Sequence, residues 1–323
     1  MNRSEILFLY DIADANPNGD PLDGNKPRID EETEINIVTD VRLKRTIRDY
    51  LEQYKGQGLF VKEIVDEQGN IQDAKLRAMD YANGITEFES LMNAKKEISN
   101  NILNECIDVR IFGATIPIDI KITGKTKKKT SSITLTGPVQ FRLGRSLHKV
   151  EIKHIKGTGA FASTSGKEQS TFREEYILPY SLIGFYGIVN EKAAESTKMT
   201  DDDVDLLLDG IWNGTKNLIS RSKFGQIPRV LMQIEYNEDN YFIGDLDKQV
   251  SLSHDLDNDK EIRSINDYKI DLSKLLELFK LNKDKIAKIN LKFDPNVQFK
   301  TCNSDDCISK ISGLEIEVNK LEL

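Results

Sequence analysis

Between Glu5 and Ile12 the run EILFLYDI carries only two charges, Glu5 and Asp11, among apolar and aromatic residues. Such a run without polar alternation reads as a strand buried on both faces, which demands a layered fold that covers a sheet on each side. A helix follows from about Thr39: its hydroxyl can cap, and Asp40 suits the positive end of the dipole. Leu43, Ile47, Tyr50, Leu51 and Tyr54 then recur as one apolar stripe, and Gly56 and Gly58 end it. Strand-like runs come at Ile133–Leu143 and Glu175–Val189. A second capped helix starts at Thr200, with Asp201, Asp202 and Asp203 in its first turn and Val204, Leu207, Leu208, Ile211, Trp212 and Leu218 as its apolar residues. The strand Val230–Tyr236 closes the pattern. Strand, helix, strand, strand, helix, strand predicts an α+β fold with a ferredoxin-like sheet carrying large insertions.

The insertions read more weakly. Asp73 to Glu105 is a polar helical region, Ile107 to Ile122 holds short apolar stretches, and GKTKKKTSS reads as a mobile loop. ADANPNGDPLDGNKPRID is a loop on its Asn-Pro, Asn-Gly and Asp-Gly pairs. HIKGTGAFASTSGKEQS has the composition of an extended hairpin or a disordered loop around Phe161. Acidic loops, a short helix near Leu272–Leu281 and a last strand at Gly313–Val318 complete the chain.

With 38% hydrophobic residues among 323, the chain can bury a substantial core, which excludes wholesale disorder. No apolar run approaches the ~20 residues that span a bilayer, and the start shows no secretory signal. Cys106, Cys302 and Cys307 form no disulfide framework, so a cytoplasmic protein without membrane contact is expected. The net charge of -8 argues on its face against a polyanion partner. Its distribution argues otherwise. Lys121 to Arg173 carries twelve basic residues against Glu151 and Glu168, a local charge of +10, so the remainder carries -18. Local field governs what docks, although a lysine-rich loop can also be plain solvated surface.

Familiar catalytic motifs are missing: there is no P-loop, GxSxG or HExxH. His148, His154 and His254 lack partners at ligand spacing, and the Cys302/Cys307 pair lacks a second pair, so neither a metal nor another cofactor is expected. Asp11, Asp14, Asp20, Asp23 and Asp30 surround the first loop. Paired carboxylates there can hold Mg²⁺ or act as a base on a ribose hydroxyl, and equally they make Asx turns and caps. In the helix after Thr39, Arg42, Lys44, Arg45 and Arg48 crowd an end whose dipole prefers acids; a bound phosphate chain or ion pairs with Asp40 and Asp49 would offset that cost. In ISRSKFGQIPR, Arg221, Lys223 and Arg229 surround Ser220, Ser222 and Gly225; backbone amides and guanidinium there can meet phosphate, or the cations can serve the helix C-terminus. Phe161, among Lys153, Lys156 and Lys167, can stack on or wedge between bases, or tuck back onto the core.

The segment NPNGDPLDGNKPRIDEETEINIVTDVRLKRTIRDYL, the later DVRIFGA (Asp108–Ala114) and the GTGAFAS hairpin together resemble the CRISPR-associated, crRNA-binding backbone subunit of Cascade. Within the RAMP superfamily the likeness is to the Csd/Csh branch of type I-B and I-C systems, leaning to I-B. The resemblance implies a right-hand shape: RRM-like palm 1–55, 132–149 and 172–240, fingers 56–131, thumb hairpin 150–171, and a C-terminal palm or web extension 241–323. It implies polymerisation of copies into a helical filament along a crRNA, with other Cascade subunits, and presentation of the spacer to target DNA. It places Thr39, Arg42, Lys44, Arg45 and Arg48 on the crRNA backbone, with Lys153, Lys156 and Phe161 in the thumb and Arg221 and Ser222 in the loop after the second palm helix. Lys125, Lys127, Lys128 and Lys129 then become candidates for DNA contact. A non-catalytic scaffold is the reading favoured. The alternative is a metal-dependent ribonuclease that cuts target RNA at regular intervals through Asp20 or Asp23 in the first palm loop.

Overall fold

Ser4–Ala15 is a strand whose first nine residues are all buried, as its lack of alternation requires. The computed structural model to which it belongs describes residues 1–65, 68–158, 172–300 and 304–323, with the backbone alone at Thr158, Phe172, Arg173, Ser304 and Asp305. The chain divides into two units. The larger comprises Arg3–Thr46, Phe141–Gly187 and Ile211–Leu323; the smaller comprises Met1–Asn2, Ile47–Gln140 and Ile188–Gly210.

In the larger unit the first strand pairs antiparallel with Ile227–Tyr236, Ser4 opposite Glu235 and Asp11 opposite Ile227, with a bulge between Leu9 and Tyr10. Edge to edge the sheet runs Glu317–Lys320, Ile286–Phe293, Ile227–Tyr236, Ser4–Ala15, Phe172–Val189, Gly144–Lys149, Ile35–Val38, Ile29–Asp30. Its core gathers Leu7, Leu9, Leu182, Met232, Tyr236, Leu275 and Phe279, so the C-terminal acidic region packs onto the sheet instead of trailing from it. Glu5 is wholly buried and accepts hydrogen bonds from the Tyr186 and Tyr236 hydroxyls and from the Ile243 and Gly244 amides at 2.9 and 2.8 Å. A buried carboxylate needs such a set of donors.

Three sequence-based expectations shift. The run Ile133–Leu143 is interrupted by Gly137 and Pro138 into Lys129–Thr136 and Val139–Phe141, and Val139–Phe141 and Gly144–Lys149 both pair with Phe172–Val189. Lys129 to Ser132 of the expected loop are already strand. The last strand is Glu317–Lys320, pairing parallel with Ile286–Phe293, a strand that the sequence reading passes over.

The two long helices follow their sequence signals. Asp40–Lys55 starts where expected, the Thr39 Oγ1 accepting from the Arg42 amide at 3.3 Å. Leu43, Ile47, Tyr50 and Leu51 are buried, whereas Tyr54 is 58% exposed. Asp201–Lys216 opens with a reciprocal cap: Thr200 Oγ1 accepts from the Asp203 amide, and Asp203 Oδ2 accepts from the Thr200 amide.

The smaller unit has its own core of Ala78, Ile98, Ile102, Ile116, Ile118 and Ile120. Helices Ala74–Asp80 and Leu91–Glu105, capped by Asp73 and Ser90, accompany the antiparallel strands Gly113–Ile122 and Lys129–Thr136. Gly113 (φ +66°) and Gly137 approach so closely that a Cβ on Gly113 would lie 2.2 Å from the Leu135 carbonyl oxygen.

Candidate nucleic-acid interface

The loop after the first strand is a knot of amide contacts. Asn18 Oδ1 accepts from both the Thr39 amide and the Thr39 hydroxyl, at 2.8 and 2.9 Å, and so fixes the residue that caps the first helix. The Asn16 amide donates to the Ser222 carbonyl at 2.8 Å, tying the same loop to the segment after the second helix. Its acidic residues are engaged locally. Asp20 pairs with Arg28 at 2.7 Å and accepts from the Leu22 amide; Asp23 pairs with Lys26; Asp30 accepts from the Glu32 and Thr33 amides. Asp11 is buried, held by Arg229 Nε at 2.9 Å and the Tyr180 hydroxyl at 2.6 Å; burial pushes its carboxyl above the usual range and Arg229 pulls it back. Among the described residues no three His, Cys, Asp or Glu side chains are grouped to hold a metal ion.

The helix cations divide by partner. Arg42 donates from Nη2 to the Thr46 hydroxyl at 3.0 Å, and Arg45 is exposed. Lys44 meets Asp40 at 3.0 Å, one of the two acids that the sequence offers as partners. Arg48 turns elsewhere: in the smaller unit its Nε meets Asp108 Oδ2 at 3.0 Å, and its guanidinium lies 5.1 Å from the centre of the Phe112 ring. Asp108 is fully buried and also accepts from the Phe60 and Val61 amides at 2.8 and 3.0 Å. Two motifs read separately in the sequence, VTDVRLKRTIR and DVRIFGA, are thus joined by one buried ion pair.

In the loop after the second helix, Arg221 is exposed and reaches Glu175 at 2.6 Å, while Ser222 accepts from Lys223 Nζ at 3.1 Å. Lys223, one of the cations that the sequence reading singles out in this segment, has an environment that the sequence does not show. Half-buried, its ammonium is pushed below the ordinary lysine value by burial and then by repulsion from Arg42. The Asn16–Ser222 and Asn18–Thr39 hydrogen bonds tie residues 39–42 and 221–223 to the same Asn16–Asn18 turn, near enough for Arg42 to act on Lys223. Next to it lies a cavity of about 350 Å³ lined by Asn16, Asn25, Glu175, Tyr176, Arg221 and Ser222.

Lys153–Thr158 pairs antiparallel with the start of Phe172–Val189, Lys153 opposite Ile177. Lys153 meets Glu151, Lys156 meets Glu174 at 3.6 Å, and His154 stacks on Tyr176 with ring centres 4.5 Å apart. Phe161 and Lys167 lie outside the described residues. Much of the basic window proves to be met by acids from other segments: Arg142 by Asp245, Arg145 by Asp30, Lys149 by Glu34. Lys125, Lys127, Lys128 and Lys129 are exposed, and none has a carboxylate within ion-pair distance among the described residues.

These elements define an α+β protein with a large mixed sheet and cation-bearing loops drawn together at the N-terminus of its first helix. Residues 2–273 match the family described as CRISPR-associated protein Cas7. A CRISPR-associated protein Cas7 from Haloferax volcanii is 31% identical over 337 aligned positions, which cover 100% of this chain and 97% of that protein. The chain belongs to the Cas7 family. Two solved chains share its fold. One, described as "CRISPR RNA-guided surveillance complex, pre-nicking", gives a TM-score of 0.53 at 12% identity, covering 97% of this chain and 100% of that one. The other, described as "CRISPR RNA-guided surveillance complex", gives 0.55 at 13% identity, covering 99% and 95%. Among the described residues no helix is long and apolar enough to cross a membrane.

Proposed function

We propose that this chain is a non-catalytic backbone subunit of a type I CRISPR surveillance complex, holding crRNA through its sugar–phosphate chain and presenting the spacer to target DNA. The observation that carries this reading is the convergence of Thr39 and Arg42, Ser222 and Lys223, and the Asn16–Asn18 turn. Hydroxyls, cations and amides in that company suit phosphate and ribose, which every spacer shares, and not base edges. The central strands are ordered Ile227–Tyr236, Ser4–Ala15, Phe172–Val189, Gly144–Lys149, or fourth, first, third, second in the helix-separated sequence, which supports an RRM-like palm. Copies associate head to tail along the guide, since a heterologous contact that does not close makes a filament. Residues 150–171 serve as the thumb, with Phe161 among its RNA contacts, and Lys125–Lys129 serve target DNA. The first-loop aspartates support a scaffold over a ribonuclease, because turn amides, Lys26, Arg28 and Arg229 already occupy them.

Binding of the full chain to guides of unrelated spacer sequence, over a series of salt concentrations, tests the proposal. Equal affinities that fall linearly in log K against log salt are expected. Affinity confined to one sequence would contradict it. Incubation with complementary RNA and Mg²⁺ should leave the RNA intact; regularly spaced cuts lost in Asp20→Ala would establish the ribonuclease instead.

A further inference from the structure

The segment after the second helix holds two large apolar side chains in solvent, Ile219 at 70% and Phe224 at 66% exposure. Phe224 is not there through looseness of the backbone. The Phe224 and Lys223 amides both donate to the Ser220 carbonyl, at 2.8 and 3.1 Å, making one helical turn that Gly225 ends with φ +88°. The Asn16 amide clamps the same turn at the Ser222 carbonyl. Within such a turn, residues three apart share a face, so Arg221 and Phe224 stand side by side. Arg221 is itself 60% exposed, with its guanidinium on Glu175 at 2.6 Å, and between them in sequence is Lys223, whose ammonium donates to the Ser222 hydroxyl at 3.1 Å. Apolar surface flanked by cations suits an anion that carries a flat apolar group. A single-stranded nucleic acid is such a ligand, since it presents a phosphate and an unstacked base at every step.

Resting on the RNA-holding reading above, we infer that Phe224 is a base-stacking platform: one nucleobase of the bound strand lies on its ring while the adjoining phosphate meets Arg221 and Lys223. An ordered turn makes this effective, because a ring already held in place loses little freedom when a base lands on it.

The test uses the full chain and a mixed-sequence single-stranded RNA carrying 2-aminopurine at successive positions. In wild type, one position should be quenched on binding. Phe224→Ala should remove that quenching and weaken binding roughly tenfold or more at every salt concentration, with the slope of log K against log salt unchanged, because stacking releases no counterions. Phe224→Trp should restore both signals. Arg221→Gln should instead lower the slope. If Phe224→Ala binds and quenches as wild type does, or changes only self-association in sedimentation, the inference is wrong while the RNA-holding reading stands. If wild type binds no RNA, both fall.

Discussion

The cations of the first helix and the lysines of the Lys125–Lys129 stretch look alike in sequence and live in opposite circumstances. Lys44 and Arg48 are only 14% and 12% exposed at their side chains, each against a carboxylate. The four lysines are exposed, and no carboxylate among the described residues stands within ion-pair distance of them. A dense run of positive charge therefore says little about which charge is available to a ligand. Arg48, set in a run of cations, does structural work, and Lys223, in a stretch of modest charge, stands beside Arg42 with burial and repulsion both opposing its ammonium.

The sharpest way to break the comparison is Asp108→Ala. It leaves Arg48 without its carboxylate and the Phe60 and Val61 amides without their acceptor, and a loss of about 3–5 kcal/mol in urea unfolding is expected. A loss below about 1 kcal/mol would mean that Arg48 is held no more firmly than the exposed lysines. Next comes the double change Arg42→Gln with Lys223→Gln, which should reduce the salt slope of RNA binding by about 1.4, at roughly 0.7 per phosphate contact on a single strand. Titration sharpens the same point. Since the Lys223 ammonium is pushed down, affinity should decline on raising pH before the ordinary lysine range is reached, and Lys223→Arg should remove that early decline. The smallest effect on the fold belongs to the fourfold change of Lys125, Lys127, Lys128 and Lys129 to Gln. Unfolding free energy should stay within about 0.5 kcal/mol of wild type, while binding to target DNA loses part of its salt dependence. A large stability change would show that these lysines are held after all.

What was legible in the sequence was local. Thr39 and Thr200 cap the helices they precede, and the buried strands at Ser4–Ala15 and Ile227–Tyr236 lack alternation. Pairings across distance were not legible. Arg48 had Asp49 beside it in sequence and took Asp108, sixty positions away, because only tertiary packing brings that acid near. Ile286–Phe293 was passed over because Lys288, Asn290 and Lys292 dilute its apolar residues, yet Ile286, Ile289 and Leu291 are buried. Of the proposed site, Thr39, Arg42 and Ser222 were assigned to RNA through the family resemblance. Lys223 was singled out in its own segment, but the influence of Arg42 on it was not, since 181 positions separate the two in sequence.

The Asn16–Ser222 and Asn18–Thr39 hydrogen bonds have a consequence for how the protein is made. A ribosome delivers Asn16 and Thr39 early and Ser222 late, so the three stretches can meet only once the chain past Ser222 has been made. Under the proposed function, a truncated or half-synthesised chain has no place to seat a guide. The guide's seat therefore exists only on a chain that has been made past Ser222 and has closed the Asn16–Ser222 hydrogen bond.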